Sequence, residues 1–212
     1  MVDPVKLRNE LLGKTVVANL AKRHFEAYYV SDADAARAKV LELISANDVV
    51  SWGGSVTLAE IGVLDAVKKT NPVIDRDTAK TMEERMEMVR QALLCDTFLM
   101  SANAISEDGQ LVNIDGNGNR CAALIYGPKQ VIVVAGVNKI AANLDAAIAR
   151  ARHTAAPVNT QRFPGLKTPC AKTGVCADCL SPESICSQMV ITRLDRHAGR
   201  IKVIIVGEDL GY

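Results

Sequence analysis

Four of the six cysteines of this 212-residue chain fall in one stretch, "TPCAKTGVCADCLSPESIC", residues 168–186. They are Cys170, Cys176, Cys179 and Cys186, spaced Cys-x5-Cys-x2-Cys-x6-Cys. Thiolates are soft ligands, and four of them converging from a flexible loop suit zinc or an iron–sulfur cluster. Gly174 and Pro182 favour the turns that wrapping an ion requires, and a bound ion could supply folding energy that the loop lacks from burial. Only one Cys-x2-Cys pair is present, and the closely spaced ferredoxin run is absent. A redox-active or adventitious disulfide and simply buried thiols therefore stay open as alternatives. Cys95 and Cys121 adjoin apolar runs and read as core residues.

A second chemistry is written at the exits of apolar runs. "VVSW" is followed by Gly53-Gly54-Ser55-Val56-Thr57, "TFLM" by Ser101-Ala102-Asn103, and "VIVVA" by Gly136-Val137-Asn138-Lys139. Each exit is small and polar, so backbone can approach a ligand closely. A glycine pair opening a helix offers free amides and the positive end of its dipole to an anion. The plainer reading is a tight turn with Ser55 as the helix cap. A fourth segment, "DGNGNR", carries Asp115, Gly116, Asn117, Asn119 and Arg120. Arg120 offers planar, bidentate recognition of a carboxylate or phosphate, set against a solvated arginine on a polar loop. Asn138 and Lys139 read equally as a cap and a surface lysine. Glu60 reads as a solvated residue before a general base, and His24, His153 and His197 are too scattered to be given a catalytic role.

These exits need a sheet to bring them together. Runs of β character ("AYYV", "DVVSW", "PVIDR", "CDTFLMS", "KQVIVVAG", "RIKVIIVGE") alternate with helical periods. The helical runs include residues 1–26, with Leu12, Val16, Leu20 and Phe25 near helical spacing, and 31–47, where Ser31 and Asp34 resemble a capping box and Val40, Leu43 and Ile44 face inward. In the run "DTAKTMEERMEMVRQALL", Met82, Met86, Val89 and Leu93 share a face, and Asn143 caps "LDAAIARAR". "NAISEDGQLVNID" reads as a hairpin turning at Asp108-Gly109. Strand–helix alternation predicts an α/β fold, a mainly parallel sheet covered on both faces, with a hairpin insertion. No repeat or long linker divides the chain, so one domain over 1–212 is expected. The stretch from about 157 to 188, holding the cysteine loop (about 165–188), has no period.

Composition narrows the classes. The net charge is +1 and aromatics are 4%, so nothing favours nucleic acid. No apolar run approaches the ~20 residues that span a bilayer, and "MVDPVKLRNELL" lacks a secretory pattern. A cytoplasmic protein without membrane contact is expected, a setting where structural disulfides are uncommon.

"SWGGSVTLAEIGV", "SANAISEDGQLVNIDGNGNRCAALIYGP", "VIVVAGVNKIAANLDAAIARAR" and the cysteine loop together resemble the lactate-utilisation (LUD) domain family, over about residues 25–190. The resemblance implies a three-layer α/β/α sandwich like that of ribose-5-phosphate isomerases and coenzyme A transferases. It also implies a part in oxidising L-lactate to pyruvate with iron–sulfur partner subunits. Matching positions are Gly53, Gly54, Ser55, Thr57, Asn103, Asp108, Gly109, Asp115, Gly116, Asn119, Arg120, Gly136, Asn138 and Lys139. A stand-alone LUD domain, without the long ferredoxin-like extension of larger members, is therefore expected.

Three functions follow as expectations. The first is a component of 2-hydroxy-acid oxidation, holding a small anionic metabolite at the strand ends beside a cysteine-ligated iron–sulfur or zinc centre. The second is a non-redox enzyme or binding protein for a phosphorylated or coenzyme A-linked metabolite. The third is a zinc-stabilised interaction module. A homo-oligomer is compatible with each.

Overall fold

Asp3 opens the first helix, α1 (Pro4–Lys22), its carboxylate accepting from the Val5 and Lys6 amides with Pro4 in the first turn. The computed structural model describes residues 3–212, so the first two residues of the expected helical segment lie outside it. Val16 and Leu20 are buried on one face of α1, and Phe25 is buried just past its end. Strand β1 (Glu26–Val30) and helix α2 (Ala33–Leu43) follow. The cap of α2 is Asp32 rather than Ser31: its carboxylate accepts from the Ala35 amide at 2.9 Å, while the Ser31 hydroxyl donates to Asp32. A carboxylate one residue nearer the helix outcompetes the hydroxyl.

Next come β2 (Val50–Trp52), then α3 (Val56–Glu60) and α4 (Val63–Thr70), two short helices where the sequence suggests one. The break falls at Gly62, at φ 66°. Then follow β3 (Val73–Ile74), α5 (Met82–Gln91), β4 (Thr97–Met100), β5 (Ala104–Ser106) and β6 (Leu111–Asp115). After α6 (Asn119–Ile125) and β7 (Gln130–Gly136) come β8 (Ile140–Ala141) and α7 (Leu144–Arg150). A π turn (Ala151–Ala155) joins α7 to α8 (Ala156–Thr160). This helical run outlasts its sequence pattern because Pro157, which cannot donate, sits where the π turn already interrupts the ladder. Asn143 caps α7 as expected, accepting from the Ala146 amide. The cysteine loop contains one short helix, α9 (Pro169–Thr173), and runs into β9 (Gln188–Thr192) before β10 (Ile201–Val206).

Six strands form one parallel sheet in the order β1-β10-β7-β4-β2-β3. Alternate residues of its central strands feed two cores. Val131, Val133, Ile201, Val203 and Ile205 pack with α1 and α6 on one face. Ile132, Val134, Ile204 and Val206 pack with α2, α3 and α4 on the other. This is a sheet between two helical layers, as strand–helix alternation requires. The hairpin β5–β6 turns at Asp108-Gly109, as expected, but it belongs to a separate four-stranded sheet, β8-β5-β6-β9, backed by α7. Strand β9 is legible only weakly, being a largely exposed edge directly after the cysteine loop. Among the described residues, no helix is long and apolar enough to cross a membrane.

Candidate functional site

The carboxyl ends of β2, β4 and β6 open into one cleft of about 630 Å³. Gly53, Gly54 and Ser55 line it from the first exit, Ser101, Ala102 and Asn103 from the second. Asp115, Gly116, Asn119 and Arg120 come from the segment after β6, and Lys139 comes from the turn after β7. Turns distant in sequence therefore share a rim, as ligand sites of open parallel sheets do.

The turn at Gly53–Thr57 works differently from the dipole reading. Helix α3 is a single short turn, and the Ser55 hydroxyl caps it by accepting from the Leu58 amide at 3.2 Å. Gly53 is favoured by packing: a Cβ there would lie 3.0 Å from Cδ of Arg120, a tight contact with a side chain held by several hydrogen bonds. Thr57 is buried and reaches the site through Lys139.

Arg120 is in the expected place with a different role. Its Nε donates to Asp115 (3.0 Å), Nη1 to the Ser101 carbonyl (2.7 Å) and Asn113 Oδ1 (2.9 Å), and Nη2 to Asn103 Oδ1 (2.8 Å) and the Ile114 carbonyl (2.7 Å). A guanidinium has five N–H donors, so every one is engaged within the protein. The expected clamp on a ligand carboxylate is thus corrected: Arg120 is a buried brace that ties the second exit to the β6 end. Asp115 is likewise consumed, accepting from Arg120 and from the Cys121 amide at 2.9 Å. Asn103 accepts from the Ile114 amide as well as from Arg120.

A cation left for a ligand is Arg76, which the sequence reading missed. It sits in a 3-10 turn (Arg76–Thr78) after β3 and lines the cleft beside Gly54. Among the described residues its side chain has no hydrogen-bond acceptor, and its Nε is buried without a partner. Burial lowers its pKa, against the pull of Asp77, Asp115 and Asp75. Arginines are charged under all ordinary conditions, so a part-buried guanidinium whose Nε has no partner favours an anion beside it. The signal in the sequence was the exit of β3, "VIDR", which obeys the same strand-end rule as the other exits but follows a strand of only two residues.

Lys139 is only 3% exposed. Its Nζ donates to Thr57 Oγ1 at 2.8 Å and Ser101 Oγ at 2.9 Å, with no carboxylate partner. Burial, then Arg150 and Arg120, push its pKa down to about 7, with Glu60 opposing. The surface-lysine alternative does not hold. Glu60 itself accepts from the Gly211 amide at 2.6 Å.

Arg85 is paired, donating to Asp77 at 2.8 Å. Arg162 contacts only neutral groups, Asn159 and the Tyr212 hydroxyl. The cleft is therefore net cationic. One wall is apolar. Met82, Met86 and Val89 share a face of α5 as expected, yet they line the cleft and α5 buries no residue in the core.

Besides Thr57, four expected residues lie away from the cleft lining. Gly136 and Asn138 hold the tail: a Cβ on Gly136 would meet the Glu208 carbonyl at 2.5 Å, and Asn138 Oδ1 accepts from the Leu210 amide. Asp108 pairs with Arg23 at the hairpin tip, and Gly109 packs on the backbone of α1.

The cysteine loop reaches the cleft through Ile185, whose backbone abuts Gly116. All six cysteines are free. Cys95 and Cys121 are core residues, and burial pushes both thiols up to about 12. Cys186 is exposed as a residue, yet chain crowding its thiol, with Cys170, Cys176 and Cys179 nearby, pushes it up to about 11. Among the described residues, however, no three His, Cys, Asp or Glu side chains stand together so as to hold an ion.

Comparison with known proteins agrees with this architecture. No curated protein matches the chain. A solved structure, a DUF162 family protein from Deinococcus radiodurans, is similar in fold, with a TM-score of 0.54 at 13% identity, covering 93% of this chain and 98% of that one. The family model described as the LUD domain matches residues 13–206. With that match spanning nearly the whole chain, and a parallel sheet whose strand ends meet at one cleft, the protein belongs to the LUD domain family.

Proposed function

We propose that this protein is a lactate-utilisation component whose cleft binds a small organic anion of the 2-hydroxy or 2-oxo acid class. The observation that carries the reading is Arg76, a cleft-lining guanidinium with no acceptor of its own. Arg162 adds charge without a carboxylate to cancel it, and the Lys139 amine has only hydroxyl partners. A carboxylate seated on Arg76 gains a charge-assisted pair in a partly desolvated site. A Cβ on Gly54 would lie 3.1 Å from the Arg76 Nη2, so the glycine keeps a side chain from crowding the guanidinium.

Oxidising a 2-hydroxy acid needs an electron acceptor, and in this reading iron–sulfur partner subunits supply it. The four loop cysteines are the donor set for a zinc or iron–sulfur centre by chemistry, but their arrangement here does not hold an ion. No electron step is therefore routed through this chain. Protein made without oxygen should settle the loop's part by elemental analysis and absorption. Iron with sulfide and a brown colour supports a cluster. One zinc per chain supports an ion that shapes the loop. Metal-free, colourless protein removes the loop from metal chemistry.

A second reading, a phosphorylated or coenzyme A-linked metabolite, is favoured by size. A cleft of about 630 Å³ with a methionine wall suits a larger, partly apolar ligand. Calorimetric titration with L-lactate, pyruvate, ribose 5-phosphate and coenzyme A separates the two. Either way, Arg76→Ala should weaken binding of the preferred anion by roughly 10–100-fold, the loss of one charge-assisted pair. Unchanged affinity in that variant would remove Arg76 from the site.

A further inference from the structure

We propose that Lys139 is a nucleophilic amine that forms a Schiff base with a carbonyl-bearing organic anion held in the cleft. The inference rests on the anion reading above and adds a covalent step to it.

The geometry is specific. Lys139 lies in the turn after β7, buried but lining the cleft. Thr57 Oγ1 and Ser101 Oγ accept two of its N–H groups. Thr57 in turn donates to the Leu210 carbonyl at 3.3 Å, which fixes it as the acceptor toward Lys139. The third position on nitrogen is thus left over, a proton when the amine is charged and a lone pair when it is neutral. The other groups facing it are Arg150 from α7, Arg120 from α6 and Glu60 from α3. A lysine that is desolvated and set near other cations is an activated nucleophile. Here both conditions are met, and no carboxylate pairs with the amine to restore its charge. Arg76 flanks the same Gly53–Thr57 turn from the Gly54 side, which gives the anion an anchor in the same cleft.

The step balances without an oxidant. The neutral amine attacks the carbonyl carbon, the C–N bond forms, and the C=O π pair moves to oxygen, which takes the proton released from nitrogen by way of water. The carbinolamine hydroxyl is then protonated and leaves as water. The nitrogen lone pair closes the C=N bond and gives a protonated imine. Its carbon is an electron sink for chemistry at the neighbouring position.

Incubation with pyruvate, glyoxylate or dihydroxyacetone phosphate and cyanoborohydride, followed by peptide mass analysis, tests this. Hydride addition to the imine leaves a stable secondary amine on the modified lysine. The expected result is an adduct on the peptide bearing Lys139. Its initial rate should be roughly tenfold higher at pH 8 than at pH 6, following the neutral amine through a pKa of about 7. Lys139→Arg keeps the charge and should give no adduct. Lys139→Met, uncharged and of similar length, serves as a second variant, and calorimetry on both reports whether the cleft still binds. Binding of a carbonyl anion by the wild type with no adduct at Lys139 overturns the nucleophile while leaving the anion site standing. Absence of both binding and adduct overturns the two together. Adducts spread evenly over surface lysines, unaffected by either variant, also overturn the proposal.

Discussion

Replacing Arg120 with alanine is expected to cost about 3–5 kcal/mol of folding stability, the range for removing one partner from a buried ionic network. Five acceptors lose their donors at once: Asp115, Asn113, Asn103 and the carbonyls of Ser101 and Ile114. Asp115 then becomes a part-buried carboxylate supported only by the Cys121 amide. Asn113 is fully buried and its Nδ2 already lacks a partner, so water cannot easily repair the gap. Domains are stable by about 5–15 kcal/mol in total, so the variant should show a much lower urea midpoint with little change in slope. Arg120→Lys should recover only part of the loss, because an ammonium has three donors and no planar fork. A destabilisation below about 1 kcal/mol, with ligand binding abolished, would mean that Arg120 serves the ligand rather than the scaffold.

Lys139 makes the second large effect, in the pH dependence of stability. Its folded pKa, about 7, lies far below the ordinary value of 10.5. The unfolded chain therefore binds the extra proton throughout that window, and stability rises with pH wherever the unfolded state binds more protons. The sign is thus fixed: stability from this group is lost as pH falls through about 7 and gained as pH rises toward 10.5. At 1.36 kcal/mol per unit, the swing over the whole window is about 5 kcal/mol. Other groups titrate at the alkaline end, including Tyr28 and the buried thiols Cys95 and Cys121. The informative quantity is therefore the difference between wild type and Lys139→Met, in which those contributions cancel. Denaturant melts of both proteins at pH 6, 7.5 and 9 should show the wild type gaining stability relative to the variant as pH rises. Parallel curves would mean that Lys139 stays charged and solvated in the folded protein.

Both effects explain why the site was only half visible in the sequence. The glycine, serine and asparagine turns were legible because strand ends carry small polar residues wherever backbone must approach a ligand. The meeting of the β2, β4 and β7 exits was legible too, since parallel strands all deliver their carboxyl ends to one edge, whereas the turn after β6 joins them from the second sheet. What each side chain does there was not. Arg120 and Arg76 are both arginines after short strands, and nothing local distinguishes them. One finds five acceptors and the other finds none because of where β5, β6 and the Ser101–Asn103 exit converge. Gly136 and Asn138 were assigned to the ligand for the same reason, although they grip the Glu208–Gly211 segment. Met82, Met86 and Val89 show the converse. Their helical spacing was plain, but a periodic apolar face does not say whether it meets a core or a cleft.

The sequence by itself determined the layered α/β architecture. Alternating strand and helix periods leave a twice-covered parallel sheet as the arrangement that buries every apolar stripe. It also determined the edge of that sheet at which the small polar turns gather. Only the tertiary structure decided the second sheet, because the edge strand β9 pairs with β6 across many intervening residues and is mostly exposed. Only the tertiary structure decided the charges as well. A side chain's protonation and availability depend on which groups from other elements desolvate it or pair with it. For Lys139 those groups come from α3, α6, α7 and the β4 exit, positions that no local pattern brings together.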